Sequence, residues 1–246
     1  MLSRVTFFLF AAGVLLQAAD PPAATPRPRE QEWCKNHHKA LNHKAQRGGF
    51  DVMLLGDSIT WEWDVSGRKE SEENGLRVWP ELAELRPATF GVPGDRTEHL
   101  LWRLLNGNLQ TPEVPKTIVL MIGTNNTGQR KDSPEDIASG VRAILEVIRT
   151  RFPLANVLLY GIFPRGKSPE AADRKNNTAA NKLLEQLADG GKVRYVNLDP
   201  EFLNEDGSLN EARFRDGLHL SESGYRIWAE SLKREISATQ QIAREK

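Results

Sequence analysis

Five short apolar runs, alternating with segments of helical periodicity, constrain the fold of this chain more than any other feature. The runs are rich in Val, Ile and Leu, which is typical of strands buried on both faces of a parallel sheet. We place these strands at residues 52–55, 88–91, 117–122, 156–161 and 193–198. Their alternation with helices predicts an α/β fold: a three-layer α/β/α sandwich around a parallel sheet of about five strands, with right-handed crossovers.

The clearest predicted helix begins after Ser133. Ser-Pro-Glu-Asp forms a capping-box pattern there, with proline at the first helical position. Apolar residues then recur at helical spacing along one face, which predicts a helix packed on the sheet. These residues are Ile137, Val141, Ile144, Leu145, Ile148 and Phe152. Weaker patterns of the same kind predict helices over residues 79–85, 98–105, 176–187 and 222–236.

Residues 1–19 have the pattern of a secretory signal peptide. Arg4 supplies the positive start, residues 5–16 an apolar stretch, and residues 17–19 a small-residue cleavage region. The stretch is too short to span a bilayer comfortably, and an uncleaved anchor is the alternative. We therefore predict a secreted or periplasmic protein with no stable membrane anchor after signal cleavage.

A linker and one helix are predicted to precede the first strand. The proline-rich residues 20–30 predict a disordered or extended linker. Residues 31–46 predict a solvated helix that Gly48 and Gly49 end. We assign residues 31–246 to a single domain with this N-terminal helix, because the length supports one sizeable core.

Cys34 and three histidines lie on that first helix. Cys34 is the only cysteine of the chain, so no intrachain disulfide can form, and no glycine-rich turn presents it as a nucleophile. The spacing of His37, His38 and His43 does not suit two metal ligands one helical turn apart. We therefore predict no metal site there.

The charge of the chain argues against a nucleic-acid partner. Basic and acidic residues are equally numerous, 33 of each, and both signs are interspersed. The sequence contains neither a nucleic-acid-binding stripe nor a polybasic membrane patch. The oligomeric state stays open, a homodimer included.

A Gly-Asp-Ser turn directly follows the first predicted strand. Open α/β sheets keep their active sites at the carboxyl ends of the strands, so Ser58 is a candidate nucleophile. A serine hydroxyl reacts at neutral pH only when a neighbouring base takes its proton. The alternative is that Ser58 only caps the helix that follows. Asp57 is expected to stabilise the turn or the helix start rather than to act on a substrate.

His219 is the candidate base. It lies between a glycine-containing loop and a helix that Ser221 caps, so we expect its ring to lie outside the core. Asp216, three residues earlier, can reach the Nδ1–H in a turn, which fixes the tautomer and stabilises the imidazolium. An Asp-x-x-His pair also occurs in many loops without this role.

Two further turns offer donors for an oxyanion hole, where negative charge develops on a carbonyl oxygen. Gly94 can bring its backbone N–H close to a substrate because no Cβ intervenes. Asn125, just past a predicted strand, offers a side-chain amide, and the N–H of Ser58 at a helix start is the third donor. The alternatives are a plain turn glycine and a turn or cap asparagine.

Taken in order, these four blocks resemble the SGNH (GDSL-type) hydrolase superfamily. The residues that match its four letters are Ser58, Gly94, Asn125 and His219. Four stretches are similar to one branch of it, the catalytic subunits of intracellular platelet-activating-factor acetylhydrolase: residues 90–97, 99–104, 123–126 and 163–166. The resemblance covers about residues 50–236 and implies an esterase without metal or cofactor on a flavodoxin-like sheet.

Three departures from that pattern limit which properties of the family can be expected for this chain. Ile59 replaces the leucine of Gly-Asp-Ser-Leu, which is a conservative change. Pro93 precedes Gly94 where the branch often has glycine, so we expect a stiffer turn. The signal-peptide pattern differs from intracellular relatives, so their phospholipid substrate does not transfer to this chain.

The resemblance together with the signal-peptide pattern predicts a secreted serine esterase that removes short acyl groups, acetate first, from a small-molecule or carbohydrate ester. Ser58, His219 and Asp216 would form its triad and pass the acyl group through an acyl-enzyme. The alternatives are a lysophospholipase or thioesterase for longer acyl chains, and a glycan-binding module without turnover. Seven side chains stay open between substrate contact and a structural role: Trp61, Trp63, Trp79, Trp102, Phe163, Arg96 and Arg165.

Overall fold

The predicted strands form one parallel sheet. The computed structural model describes residues 20–63 and 75–244, with side chains through residue 239. Its strands are β1 (Val52–Gly56), β2 (Pro87–Gly91), β3 (Thr117–Met121), β4 (Asn156–Tyr160) and β5 (Val193–Val196). They are hydrogen-bonded in the order β2-β1-β3-β4-β5, and each neighbouring pair is parallel. The five strand predictions are confirmed, with ends that differ by one or two residues.

Helices cover both faces of the sheet and enclose two cores. In the described ranges they are α1 (Glu32–Arg47), α2 (Ser58–Trp61), α3 (Thr97–Arg103), α4 (Pro134–Arg151), α5 (Ala172–Glu185), α6 (Asp199–Phe202) and α7 (Glu222–Arg244). Successive side chains of a strand point to opposite faces. Met53 and Leu55 therefore enter the first core with α1, α3, α4 and α5, while Val52 and Leu54 enter the second with α2, α6 and α7. The predicted three-layer sandwich is confirmed.

Helix α4 shows how the sequence specifies its elements. Ser133 Oγ accepts a hydrogen bond from the Asp136 backbone N–H at 3.1 Å. Pro134 takes a first-turn position, where no backbone N–H is needed. The six apolar residues at helical spacing are all buried: Ile137, Val141, Ile144, Leu145, Ile148 and Phe152. Burial of this stripe against the sheet holds the helix in place and confirms the prediction.

Two helix predictions need correction. Residues 79–85 form a 3₁₀ helix (Trp79–Leu85), in which Leu82 is the one buried residue, so no wide apolar stripe supports an α-helix. It ends at Arg86, whose φ is +48°. The helix predicted over residues 98–105 ends at Arg103, and the chain continues in a wider turn to Asn108.

Residues 20–30, predicted to be a disordered or extended linker, pack on the domain and form no regular secondary structure outside one short turn. Pro22–Ala24 form a 3₁₀ turn, and Ala23 is fully buried. The Ala23 carbonyl accepts a hydrogen bond from Thr97 Oγ1 at 2.8 Å. A Cβ at Gly140 of α4 would lie 2.4 Å from that carbonyl oxygen, so glycine in α4 makes room for this segment. Composition alone does not reveal such a docking surface.

The other N-terminal predictions have different outcomes. The predicted signal peptide, residues 1–19, lies outside the described residues. The helix predicted over residues 31–46 is confirmed as α1, which ends at Gly48 with φ +62°. Cys34 is buried on it. Among the described helices, none is both long and apolar enough to cross a membrane.

Candidate active site

Ser58 lies in the turn that leaves β1. The strand ends at Gly56, and Ser58 is the first residue of α2. Asp57 caps this helix, because its Oδ1 accepts the Ile59 backbone N–H at 3.0 Å. A Cβ at Gly56 would lie 2.1 Å from Thr60 Oγ1 and 2.4 Å from a carbonyl oxygen of β3. Glycine therefore lets the strand turn directly into the helix and brings the Ser58 hydroxyl to the edge of the sheet.

Asp216 organises a tight loop around His219. Its Oδ1 accepts the backbone N–H groups of Leu218 at 3.0 Å and His219 at 2.7 Å, and its Oδ2 lies 2.8 Å from His219 Nδ1. The Arg215 N–H closes the loop on the His219 carbonyl at 2.8 Å. Burial acts to raise the Asp216 pKa, but the hydrogen bonds from His219 outweigh it and hold that pKa below its ordinary value. The ionised carboxylate therefore keeps a proton on Nδ1.

Ser58 and His219 meet although 161 positions separate them. Ser58 Oγ lies 2.9 Å from His219 Nε2. Because Nδ1 donates to Asp216, Nε2 carries the lone pair, and the Ser58 hydroxyl donates to it. The structure thus brings the three predicted residues into one hydrogen-bonded chain at the carboxyl ends of the strands.

Asp57 is fully buried beside the hydrogen-bonded residues Ser58, His219 and Asp216. Its Oδ1 caps α2, while no group in the described part of the chain hydrogen-bonds to its Oδ2. Burial raises the Asp57 pKa to about 7, against the lowering effects of the Ile59 hydrogen bond and of His219. Asp57 therefore has the structural position expected for it, and the folded chain favours its neutral form.

Asp57→Asn is expected to become more stabilising as the pH rises from about 4 to 7. The pKa of the unfolded carboxyl lies near its ordinary value of 3.8, whereas burial raises the pKa of the folded one to about 7. The parent chain therefore loses stability across this window, by up to about 4 kcal/mol at ~1.4 kcal/mol per pKa unit, and the neutral amide does not. Urea unfolding at several pH values measures the difference.

Asp216→Asn is the matched control for that series. The Asp216 pKa is lowered in the folded chain, so its carboxylate stabilises the fold above the unfolded pKa, and this contribution is lost as the pH falls. Between pH 4 and 7 the free-energy difference between Asp216→Asn and the parent chain should therefore stay nearly constant and change only below about pH 4, whereas that of Asp57→Asn changes throughout this window. A free-energy difference between Asp57→Asn and the parent chain that stays constant with pH would contradict the argument.

Gly94 occupies a type II turn after β2. The Asp95 N–H donates to the Val92 carbonyl at 3.1 Å, and Gly94 has φ +78°. A type II turn accepts proline at its second position and needs a positive φ at its third, which favours glycine. Pro93 and Gly94 meet these two demands. Because glycine has no Cβ, Gly94 has no side chain of its own to screen its N–H.

Asn125 follows β3 and is held at both atoms of its amide. Its Oδ1 accepts a hydrogen bond from Gln129 Nε2 at 3.1 Å, and its Nδ2 donates to the Asp95 carbonyl at 3.0 Å. These contacts fix the orientation of the amide and leave its second N–H without a partner among the described residues. Through Asp95, Asn125 is tied directly to the turn of Gly94. The structure therefore holds Asn125 and the Gly94 turn together through one hydrogen bond.

Buried ion pairs hold the Gly94 turn. Asp95 is fully buried; its Oδ2 lies 2.8 Å from Arg103 Nε, and its Oδ1 lies 3.4 Å from Arg29 Nη1. Arg29 Nη1 also donates to the Pro93 carbonyl at 2.5 Å. Arg29 comes from the segment predicted to be a linker, and the sequence carries no signal for its contacts.

Glu98, in the first turn of α3, forms ion pairs with two arginines. Its Oε1 lies 2.6 Å from Arg96 Nε and 2.6 Å from Arg130 Nη1. Asn126, next to Asn125, caps the same helix, since its Oδ1 accepts the Thr97 N–H at 3.0 Å. The contacts of Arg96 order the loop. They link the turn after β2 to the turn after β3.

An ion pair also joins α2 to the His219 loop. Arg215 Nη2 lies 2.8 and 2.7 Å from the two carboxylate oxygens of Glu62, which is buried. From α7, the Tyr225 hydroxyl donates to the Ile59 carbonyl at 2.7 Å. The segments that carry Ser58 and His219 are therefore clamped to each other. Nothing in the sequence pattern of residues 59–62 distinguishes Glu62 from a solvated helix residue.

The loop after β4 supports the His219 loop from the other side. The Gly166 N–H donates to the Gly217 carbonyl at 2.9 Å. The buried Arg174 donates from Nη2 to the Gly166 carbonyl at 2.6 Å. Arg165 Nη1 donates to the Thr124 carbonyl at 2.8 Å. The described contacts of Arg165 thus order neighbouring loops.

The five candidate aromatic residues divide into two groups. Trp63 and Phe163 are buried in the second core, and Trp79 packs against it. These three belong to the core. Trp61 and Trp102 are only half-buried, and the Trp102 ring packs against that of His38 with 4.9 Å between ring centres.

Fold and site together define a class of protein: a serine hydrolase of the α/β type that acts on esters. Residues 54–227 match the GDSL-like Lipase/Acylhydrolase family, which is most of the chain, and the chain belongs to this family. The resemblance to SGNH (GDSL-type) hydrolases that the motifs predict is confirmed. Arg29 and α1 lie outside the matched residues.

Individual relatives and solved structures agree with this assignment. Human platelet-activating factor acetylhydrolase IB subunit alpha1 is 31% identical over 216 residues, which are 85% of this chain and 87% of that protein. A GDSL-like lipase from Bacteroides thetaiotaomicron superposes with a TM-score of 0.61 at 21% identity, covering 83% and 97% of the two chains. A carbohydrate acetylesterase from Sinorhizobium meliloti does so with a TM-score of 0.58 at 19% identity, covering 77% and 99%. Both structures share the fold.

Proposed function

We propose that this chain is a serine esterase that releases short acyl groups, acetate above all, from a small-molecule or carbohydrate ester. The observation that carries the proposal is the hydrogen-bonded chain from Ser58 Oγ through His219 to Asp216, with distances of 2.9 and 2.8 Å. Family membership supplies the reaction class. The acyl group and the role of each residue are the proposal.

Acylation begins when Ser58 Oγ attacks the ester carbonyl carbon while His219 Nε2 accepts the hydroxyl proton. The N–H groups of Ser58, Gly94 and Asn125 Nδ2 stabilise the negative charge on the carbonyl oxygen. The tetrahedral intermediate collapses, the bond to the alcohol oxygen breaks, and His219 gives its proton to that oxygen. The products are the free alcohol and an acyl ester on Ser58.

Deacylation repeats these steps with water as the nucleophile. Water attacks the acyl carbonyl carbon and gives a proton to His219, and the second intermediate collapses as that proton returns to Ser58 Oγ. The carboxylic acid leaves and the resting state is restored. Asp216 stays ionised throughout and stabilises the imidazolium, in keeping with the lowered pKa of its carboxyl group.

Two relatives support acetate as the acyl group. The human relative is named an acetylhydrolase, and the structural neighbour from Sinorhizobium meliloti is a carbohydrate acetylesterase. Export from the cytoplasm is part of the proposal and rests on the signal-peptide pattern of residues 1–19.

A series of p-nitrophenyl esters from acetate to octanoate tests the acyl preference. We expect kcat/KM to be highest for acetate and to fall by about tenfold or more at octanoate, since each methylene misplaced at a pocket wall costs ~1–3 kcal/mol. A rise towards octanoate would instead identify a lysophospholipase or thioesterase. Labelling of folded protein by a fluorophosphonate separates either enzyme from a glycan-binding module, which would stay unlabelled.

A further inference from the structure

A cavity of about 400 Å³ lies directly beside the turn of Gly94. Its walls come from three parts of the chain: the segment before α1, the first half of α1, and the stretch from Val92 through α3. Val92 and Asp95, the two outer residues of the type II turn, both line it. The cavity therefore adjoins the turn that carries Gly94, although Ser58, Gly94, Asn125 and His219 are not among its lining residues.

Arg29 connects the cavity to the turn. Its Nη1 contacts the Pro93 carbonyl, and a Cβ placed on Gly94 would lie 3.0 Å from the same atom. The guanidinium is thus next to the backbone that would hold the oxyanion. Its Nε and Nη2 groups make no hydrogen bond within the described residues, so they can still donate to a ligand in the cavity.

Positive charge exceeds negative charge around this cavity. Four basic side chains line it against two carboxylates. One of these carboxylates, Asp95, is already bound by Arg103 and Arg29. Lys39 lines the cavity and has no ion-pair partner in the part of the chain that the structure describes. Lys35 is paired with Glu30 at 3.1 Å, and the Glu32 carboxylate also lines the cavity. The ammonium of Lys39 and the unbonded edge of Arg29 therefore leave a small positive excess that can receive an anion.

Aromatic rings form another part of the wall. The rings of His38 and Trp102 lie 4.9 Å apart between centres, and both line the cavity. Burial lowers the pKa of His38, so this ring is neutral near pH 7 and adds apolar surface. A half-buried indole of this kind offers a face on which a sugar or aromatic ring can lie.

We propose that this cavity binds the alcohol part of the ester and selects alcohols that carry an anionic group, a carboxylate or a phosphate. The inference rests on the proposed function, because the ester carbonyl must sit at the Gly94 turn for its alcohol part to reach the cavity. Arg29 and Lys39 receive the anionic group, and Trp102 receives the ring that bears it. The enzyme then acts on acylated acidic sugars, acidic phenols or sugar phosphates in preference to their neutral counterparts.

Three aryl acetates test the proposal on the full mature chain: 4-acetoxybenzoate, 4-acetoxyphenyl phosphate and the neutral methyl 4-acetoxybenzoate. The methyl ester has the better leaving group, since its substituent withdraws electrons more strongly than a carboxylate. A preference for either anion therefore arises from binding. We expect kcat/KM to be about tenfold higher for at least one of the two anionic esters than for the neutral methyl ester. The anionic ester with the larger kcat/KM identifies the preferred anion. High salt should reduce the ratio of anionic to neutral kcat/KM.

The variant Lys39→Met tests whether the preference for anionic esters arises in this cavity. It should lower the ratio of anionic to neutral kcat/KM by about threefold to fivefold, the range of one partly exposed ion pair. Lys182→Met, an exposed lysine on α5, is the matched control and should leave the ratio unchanged. An unchanged ratio in Lys39→Met would remove the site from this cavity.

The outcomes of this test separate the inference from the proposed function. Equal or faster hydrolysis of the neutral ester by the parent chain would overturn the inference while leaving an esterase. Failure to hydrolyse any of the three acetates, or equal hydrolysis by Ser58→Ala, would overturn the proposed function and the inference with it.

Discussion

Ser58→Ala is expected to lower kcat for p-nitrophenyl acetate by about 10⁴- to 10⁶-fold, the cost of removing a serine nucleophile that acts as a unit with its base. The Ser58 hydroxyl is the atom in contact with His219 Nε2, at 2.9 Å. Alanine leaves no atom to form the acyl ester, so only the oxyanion donors and substrate positioning remain. Assays stopped after long incubation measure the residual rate.

The exposed Ser168 supplies the control for this variant. Its hydroxyl accepts the Glu170 N–H at 3.1 Å, remote in sequence from the four blocks. Ser168→Ala should keep kcat within about twofold of the parent, as is usual for surface substitutions. Both variants should unfold at the same urea concentration as the parent. Retention of more than about one hundredth of the parental kcat in Ser58→Ala would exclude Ser58 as the nucleophile.

Asn125→Ala is expected to lower kcat by about 10²- to 10³-fold with little change in KM. The substrate carbonyl carries little charge before attack, so the free N–H of Asn125 Nδ2 acts mainly when the oxyanion forms. Its geometry is fixed in advance by Gln129 and by the Asp95 carbonyl. Steady-state kinetics with p-nitrophenyl acetate separate the two parameters.

The variant Gln129→Met separates charge stabilisation by the Asn125 amide from the ordering of the loop that carries Asn125. Methionine keeps the approximate volume of glutamine but loses the hydrogen bond that orients the Asn125 amide. We expect a fall in kcat of about tenfold or less, since the Asp95 contact still restrains the amide. If both variants lost equal activity, loop order and not charge stabilisation would explain the effect of Asn125.

The sheet and the order of the site blocks could be predicted because both depend on local patterns. A strand buried on two faces must be apolar throughout, and the runs that contain Leu54 and Val119 satisfy this condition. The carboxyl ends of parallel strands lie at one edge of the sheet. Ser58, Gly94 and Asn125 each follow a strand, so their proximity follows from the topology.

The contacts that hold the site could not be predicted in the same way. Asp95, Arg103 and Glu62 are charged residues in segments whose pattern suits solvent, and only tertiary distances turn them into buried partners. Arg29 is harder still, because a proline-rich stretch carries no periodicity. Its position depends on Ala23 fitting over a glycine of α4, which no local pattern records.

The pairing of Glu62 with Arg215 has a geometric symmetry. Glu62 lies four residues after the reactive hydroxyl, and Arg215 lies four residues before its base. Each segment between the ion pair and the reacting group spans four residues, so a displacement of either segment moves the other with it. The distance between Ser58 Oγ and His219 Nε2, across which the proton passes, therefore changes little when other parts of the sandwich move.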